Sequence, residues 1–174
     1  MAYQGFVSGC PERDAYAVRL FTKNNLHVIV NQSFAKNFGL YGQRVGCVSM
    51  PCRDNKMAVN LKARLGQVIR QVYSNNPRYG SDLIKTILKS KSLQSQWLAD
   101  VKTMADRIAQ MRQLLLKNLQ EASVKNWDFI TQQRGMFAFT PLSKEQVIRL
   151  RNDFGVYMLE NGRISLSGIN TKNV

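Results

Sequence analysis

The chain has 174 residues, 44% of them apolar and 21% charged, with 25 Lys and Arg against 11 Asp and Glu for a net charge of +14. That composition is globular and long enough to bury a core, which excludes a disordered chain. No apolar run reaches bilayer-spanning length, and Arg13 and Asp14 interrupt the start too early for a secretory signal, so no membrane association is expected.

In chain order, residues 12–25 (ERDAYAVRLFTKNN) place Ala15, Val18, Leu20 and Phe21 on one face of a helix that stops at the Asn pair. A β-branched strand is expected at LHVIVNQS, residues 26–33, and a second at GCVSMPC, residues 46–52, with a loop between them. Asp54 is placed to cap a helix running to Val72, with Met57, Leu61, Leu65 and Val68 along one face. YSNNPRYG is turn chemistry and stops it. A short helix at 81–88 precedes the longest periodic stretch, 92–121, where Trp97, Val101, Met104, Ile108, Met111, Leu115 and Leu119 recur at threes and fours. GMFAFTP as a strand, SKEQVIRLRNDF as a helix capped by Ser143, and short strands at VYML and GRISLSG close an α+β unit. Helices and strands change character on either side of the long helix, which places the domain boundary inside it.

Cys10, Cys47 and Cys52 are an odd count with no C-x-x-C, so reduced thiols are expected rather than disulfides or a zinc site. His27 is the only histidine, which excludes a histidine triad or a multi-histidine metal centre; no metal is expected. Its place in LHVIV suggests a hydrogen-bonded structural histidine. The basic residues are scattered, densest at KTILKSKS, and the aromatics do not interleave with them, so no nucleic-acid platform is read. A solvated basic surface accounts for the charge, while a module for some anionic partner stays open.

The chemistry concentrates in QSFAKNFGLYGQRVG, residues 32–46, where Ser33 stands three residues before Lys36 and Arg44 eight after it. Gly39 and Gly42 let the intervening arm fold back. A lysine that attacks an aldehyde must give up its proton, and a neighbouring cation helps it do so. A guanidinium also supplies forked donors suited to phosphate, and a serine adds one more. The set fits a phosphorylated aldehyde. Taken bare, the same spacing is also that of a solvated loop lysine or of a serine–lysine hydrolase, although the companion motifs of such hydrolases are missing.

MAYQGF, QSFAKNFGLYGQRVG, YSNNP, VKTMADRI, GMFAF and GRISLSG follow one another in a fixed order and spacing. In that register the whole chain resembles the aspartate aminotransferases, pyridoxal-phosphate-dependent transaminases of fold type I and class I. The resemblance implies an α/β fold: the C-terminal part of the large mixed-sheet cofactor domain over residues 1–102, and a small α+β domain over 103–174 that lacks its last helix. It implies pyridoxal 5'-phosphate as cofactor, with Lys36 as the Schiff-base lysine and the base that moves the substrate's proton. Ser33 and Arg44 would hold the phosphate, and Tyr3 would give its phenol to the cofactor's ring oxygen. Arg163 would grip the substrate α-carboxylate, with Phe137 as a wall. Arg70 would select a side-chain carboxylate in the partner subunit's site of a homodimer, and Ser74 would approach that subunit's cofactor.

The implied substrates are dicarboxylic amino acids and 2-oxo acids, with an aromatic or tyrosine aminotransferase of the same class as the alternative. The implied location is intracellular, cytoplasmic or mitochondrial. The aspartate that the family pairs with the pyridine nitrogen falls one position before Met1, so a fragment is expected, inactive when isolated.

Overall fold

The computed structural model describes residues 1–123 and 125–174. They form two compact units, one of Met1–Gly5 with Cys10–Val101, the other of Phe6–Gly9 with Lys102–Val174.

In the first unit, α1 (Pro11–Asp14) begins on a proline, whose missing N–H is no loss in a first turn. The single helix expected over 12–25 is broken at Ala15, and α2 (Tyr16–Lys23) follows. The break coincides with Asp14 accepting a hydrogen bond from the Gly5 N–H at 2.7 Å, which ties the first helix back to the N-terminal segment. Strand β1 (Val30–Ser33) pairs antiparallel with β2 (Gly46–Ser49), Val30 opposite Ser49 and Ser33 opposite Gly46. Both strands are shorter than the sequence suggested. Pairing ends at Ser49, and Pro51 beyond it has no N–H to extend the ladder, so 26–29 have no partner strand. His27, read as a hydrogen-bonded structural histidine, is exposed.

Helix α3 (Asn55–Tyr73) starts where the sequence places it, with the Asp54 side chain accepting from the Met57 N–H at 2.7 Å. No residue of α3 is buried. After a turn, α4 (Tyr79–Lys89) buries Gly80 and Ile84. A Cβ on Gly80 would stand 3.0 Å from the Gln43 side chain and 3.2 Å from Val45, so glycine lets the helix press directly on the end of the 34–45 loop.

Helix α5 (Lys91–Ala122) runs through the expected periodic stretch, and the division between units falls within it. Val101, Ala105, Ile108 and Met111 are buried, whereas Met104 is 40% exposed, so the buried stripe runs one position away from that methionine. In the second unit, α6 (Phe129–Gln132), β3 (Phe137–Phe139), α7 (Lys144–Phe154) and β4 (Arg163–Ser165) surround Ile130, Ala138, Val147 and Leu166. Ser143 and Gln146 form a reciprocal capping box at the start of α7. β3 and β4 are antiparallel, with Phe139 opposite Arg163. The strand expected at VYML is absent: Gly155 ends α7 in the left-handed region, and Leu159 then closes a turn through bonds to Arg163 and Gly162. The segment is used up in reversing the chain. A short 3₁₀ turn at Leu166–Gly168 follows β4.

Candidate active site

The 34–45 loop joins β1 to β2. Phe34 extends the ladder by one bond, its N–H reaching the Val45 carbonyl at 3.1 Å. The Ser33 hydroxyl then accepts from the Ala35 N–H at 3.2 Å, which turns the chain out of the strand. Phe38 bonds back to Phe34 and Gly39 to Lys36, with Gly39 at φ 66°. The second left-handed residue is not Gly42, which lies in the 3₁₀ turn Tyr41–Gln43, but Arg44, at φ 49° and ψ 50°. A side chain in that region costs about 1–2 kcal/mol. The Arg44 Nη1 donates to the Tyr41 carbonyl at 2.8 Å, which offsets part of it. At the loop's far end, a Cβ on Gly46 would come 2.6 Å from the Gln32 carbonyl, so only glycine permits that crossing.

This backbone sets Lys36 half-buried, with its Nζ 5.5 Å from the Tyr3 ring centroid and 5.1 Å from that of Tyr41. Both lie within cation–π reach. Ser33 and Arg44 line a recess of about 390 Å³ together with Met1, Ala2, Gln32 and Ala35, the residue before Lys36 in the chain. An amine with two phenols near it, in a loop whose two ends share a recess bearing a hydroxyl and a guanidinium, is a donor set that fits a phosphorylated aldehyde. Lys36 is thus brought to Tyr3, and Ser33 to Arg44. Tyr41 joins them unforeseen; its only sequence signal is an aromatic in the glycine-flanked arm five residues after the lysine.

Arg70 and Ser74 form a separate pair. The Arg70 guanidinium donates to the Ser74 hydroxyl, which donates in turn to Asn75 Oδ1 at 3.4 Å. Both are exposed, at the end of α3, and Ser74 adopts φ 69° as the helix terminates. Arg163 and Phe137 form a third group, in the second unit. The guanidinium carbon stands 3.7 Å from the Phe137 ring centroid, and both line a recess of about 440 Å³ with Tyr157, Met158, Leu159 and Ser165. Cross-strand register explains the contact, because Arg163 opposes Phe139 and Phe137 lies two residues along on the same face.

The family model for aminotransferase class I and II matches residues 1–174, and the chain belongs to that family. It is 50% identical over 175 residues to the mitochondrial aspartate aminotransferase of Arabidopsis thaliana, covering 100% of this chain and 41% of that protein. An aromatic-amino-acid aminotransferase from Burkholderia pseudomallei, solved covalently bound to pyridoxal phosphate, superposes with a TM-score of 0.94 at 42% identity, over 99% of this chain and 43% of that one. A mitochondrial aspartate aminotransferase from Trypanosoma brucei gives a TM-score of 0.95 at 40% identity, over 99% and 46%. The fold is therefore that of fold type I aminotransferases, and the chain spans less than half the length of these relatives.

Proposed function

We propose that the Lys36 loop is a pyridoxal 5'-phosphate site and that the protein it serves is an aspartate aminotransferase. The observation that carries the reading is the Lys36 amine, set beside two phenols in a loop whose two ends, Ser33 and Arg44, share a recess. Bound there, pyridoxal phosphate supplies an aldehyde carbon for a covalent link and a ring that draws electrons from the substrate's α-carbon.

The chain's own groups do the rest. Arg44 and Ser33 would hold the phosphate, and Lys36 would be the amine that anchors the aldehyde and the group that carries the proton from the substrate's α-carbon. Tyr3 presents its phenol to the ring oxygen. Arg163, its guanidinium over the Phe137 ring, would hold the α-carboxylate, and the ring limits the orientations of its planar fork. Arg70 takes the side-chain carboxylate of a dicarboxylic substrate in a partner subunit's site, and Ser74 accompanies it. Residues 1–102 form part of the large domain and 103–174 part of the small one. The mitochondrial naming of the Arabidopsis and trypanosome relatives supports a mitochondrial compartment over a cytoplasmic one.

Likeness to the Burkholderia enzyme favours an aromatic aminotransferase as the second reading. Spectroscopic titration of the chain with pyridoxal 5'-phosphate and with pyridoxal tests the site. A visible band with the phosphorylated form, lost in Lys36→Ala, is expected. Arg44→Ala should weaken that form about tenfold, the worth of one charge-assisted hydrogen bond, and leave pyridoxal little changed. Equal spectra from wild type and Lys36→Ala would refute the reading.

A further inference from the structure

The residues immediately after Tyr3 and Lys36 are bonded to each other. Asn37 is 2% exposed, and its Nδ2 donates to the Gln4 carbonyl at 3.3 Å. Gln4 is itself anchored, its Nε2 donating to the Pro11 carbonyl at 2.8 Å and its Oε1 accepting from Gln32 Nε2. On the other side, the Asn37 carbonyl accepts the Trp97 indole N–H at 2.7 Å. The Trp97 ring stacks on Phe38 with centroids 4.6 Å apart and planes 14° apart, and Phe38 meets Phe34 edge-on at 5.6 Å. Residues 36–38 are therefore gripped through 37 and 38, and the grip reaches the N-terminal turn that carries Tyr3.

Asn37 is a costly choice for packing. Its Oδ1 is buried with no hydrogen-bond partner among the described residues, and an unmet acceptor in the interior destabilises. An apolar side chain of similar volume would fill the same space without that loss. What such a side chain would not supply is the amide donor that joins the Lys36 segment to the Tyr3 segment.

Resting on the pyridoxal phosphate reading above, we propose that Asn37, locked by Trp97 and bonded to Gln4, is the positioning residue that holds the Lys36 amine in register with the Tyr3 phenol. It touches neither cofactor nor substrate. It acts through the backbone of its two neighbours. With the clamp released, Lys36 becomes an ordinary loop lysine, and its advantage over surface lysines in reacting with the aldehyde declines.

The test is competitive labelling of the full chain. Pyridoxal 5'-phosphate is added at limiting concentration, borohydride reduces the adducts, and peptide mapping gives the ratio of label on Lys36 to label on exposed lysines such as Lys56 and Lys62 in the same sample. Trp97→Phe keeps the stacked ring and removes the N–H; Asn37→Ala removes the amide. Labelling is done well below each variant's unfolding temperature, so a loss of stability alone leaves the ratio unmoved. The expected ratio is well above one in the wild type, about fivefold lower in Trp97→Phe, the worth of one hydrogen bond, and lower again in Asn37→Ala. A high wild-type ratio retained by both variants would overturn the positioning role. A wild-type ratio near one would overturn the cofactor reading itself.

Discussion

Arg112 carries a guanidinium into the interior of the second unit at 5% exposure, and its described bonds all go to backbone carbonyls. It donates to Ile130, to Gly135 at 2.8 Å and to Phe137, so it fastens α6 and the start of β3 to α5. Burial, and after it the charge of Arg134, lowers its pKa from the ordinary value. Arg112→Leu strands three carbonyls and should destabilise the second unit by about 3 kcal/mol in denaturant titration; a loss under about 1 kcal/mol would contradict the bracing role. Arg112→Lys should recover only part, because an ammonium lacks the planar fork. Nothing in the sequence marks this arginine, since its partners are carbonyls 18 to 25 residues away. Lys36, Ser33 and Arg44 were legible because their chemistry is close in sequence. Asn37 was not, because what holds it comes from Trp97, 60 residues on, which the periodicity marked only as core.

Elements were legible where the deciding interaction is local. Asp54 and Ser143 announce the starts of α3 and α7, and both caps form with N–H groups three residues ahead. Strand lengths were not, because β1 ends where β2 stops supplying partners and VYML spends itself in a turn. An ion pair beside α7 gives a pH dependence with a definite sign. Lys144 Nζ stands 2.8 Å from the Glu160 carboxylate. Their hydrogen bond, then their mutual charge, holds Glu160 below its ordinary 4.5 and Lys144 above its ordinary 10.5. Glu160's contribution is present above the unfolded carboxylate value and lost as pH falls through the lowered folded value. Lys144's is present below the unfolded amine value and lost as pH rises through the raised folded one. Both groups are exposed, so the effect is small. Glu160→Gln should lower the neutral plateau of stability slightly and flatten the acid limb by the same small amount, leaving the acid end unchanged; an acid limb made steeper would contradict the assignment.

At the scale of the whole molecule, α3 is amphipathic in sequence yet buries nothing, with Val59 62%, Val68 55% and Val72 72% exposed. Periodicity revealed the apolar face but not what covers it, because that depends on atoms outside the helix. In the homodimer proposed above, Arg70 reaches a neighbouring site. Light scattering across a concentration series should therefore report a dimer, and Val68→Glu should weaken it about tenfold, since a buried valine would be replaced by a charge. A monomer at every concentration would remove the basis for assigning Arg70 to the partner.

Everything proposed for catalysis depends on Lys36 being the group that takes the aldehyde. Borohydride reduction with pyridoxal 5'-phosphate followed by peptide mapping measures that directly. The expected result is one dominant adduct on the peptide that carries Lys36; label spread evenly over the exposed lysines, with Lys36 no richer than the rest, would contradict it.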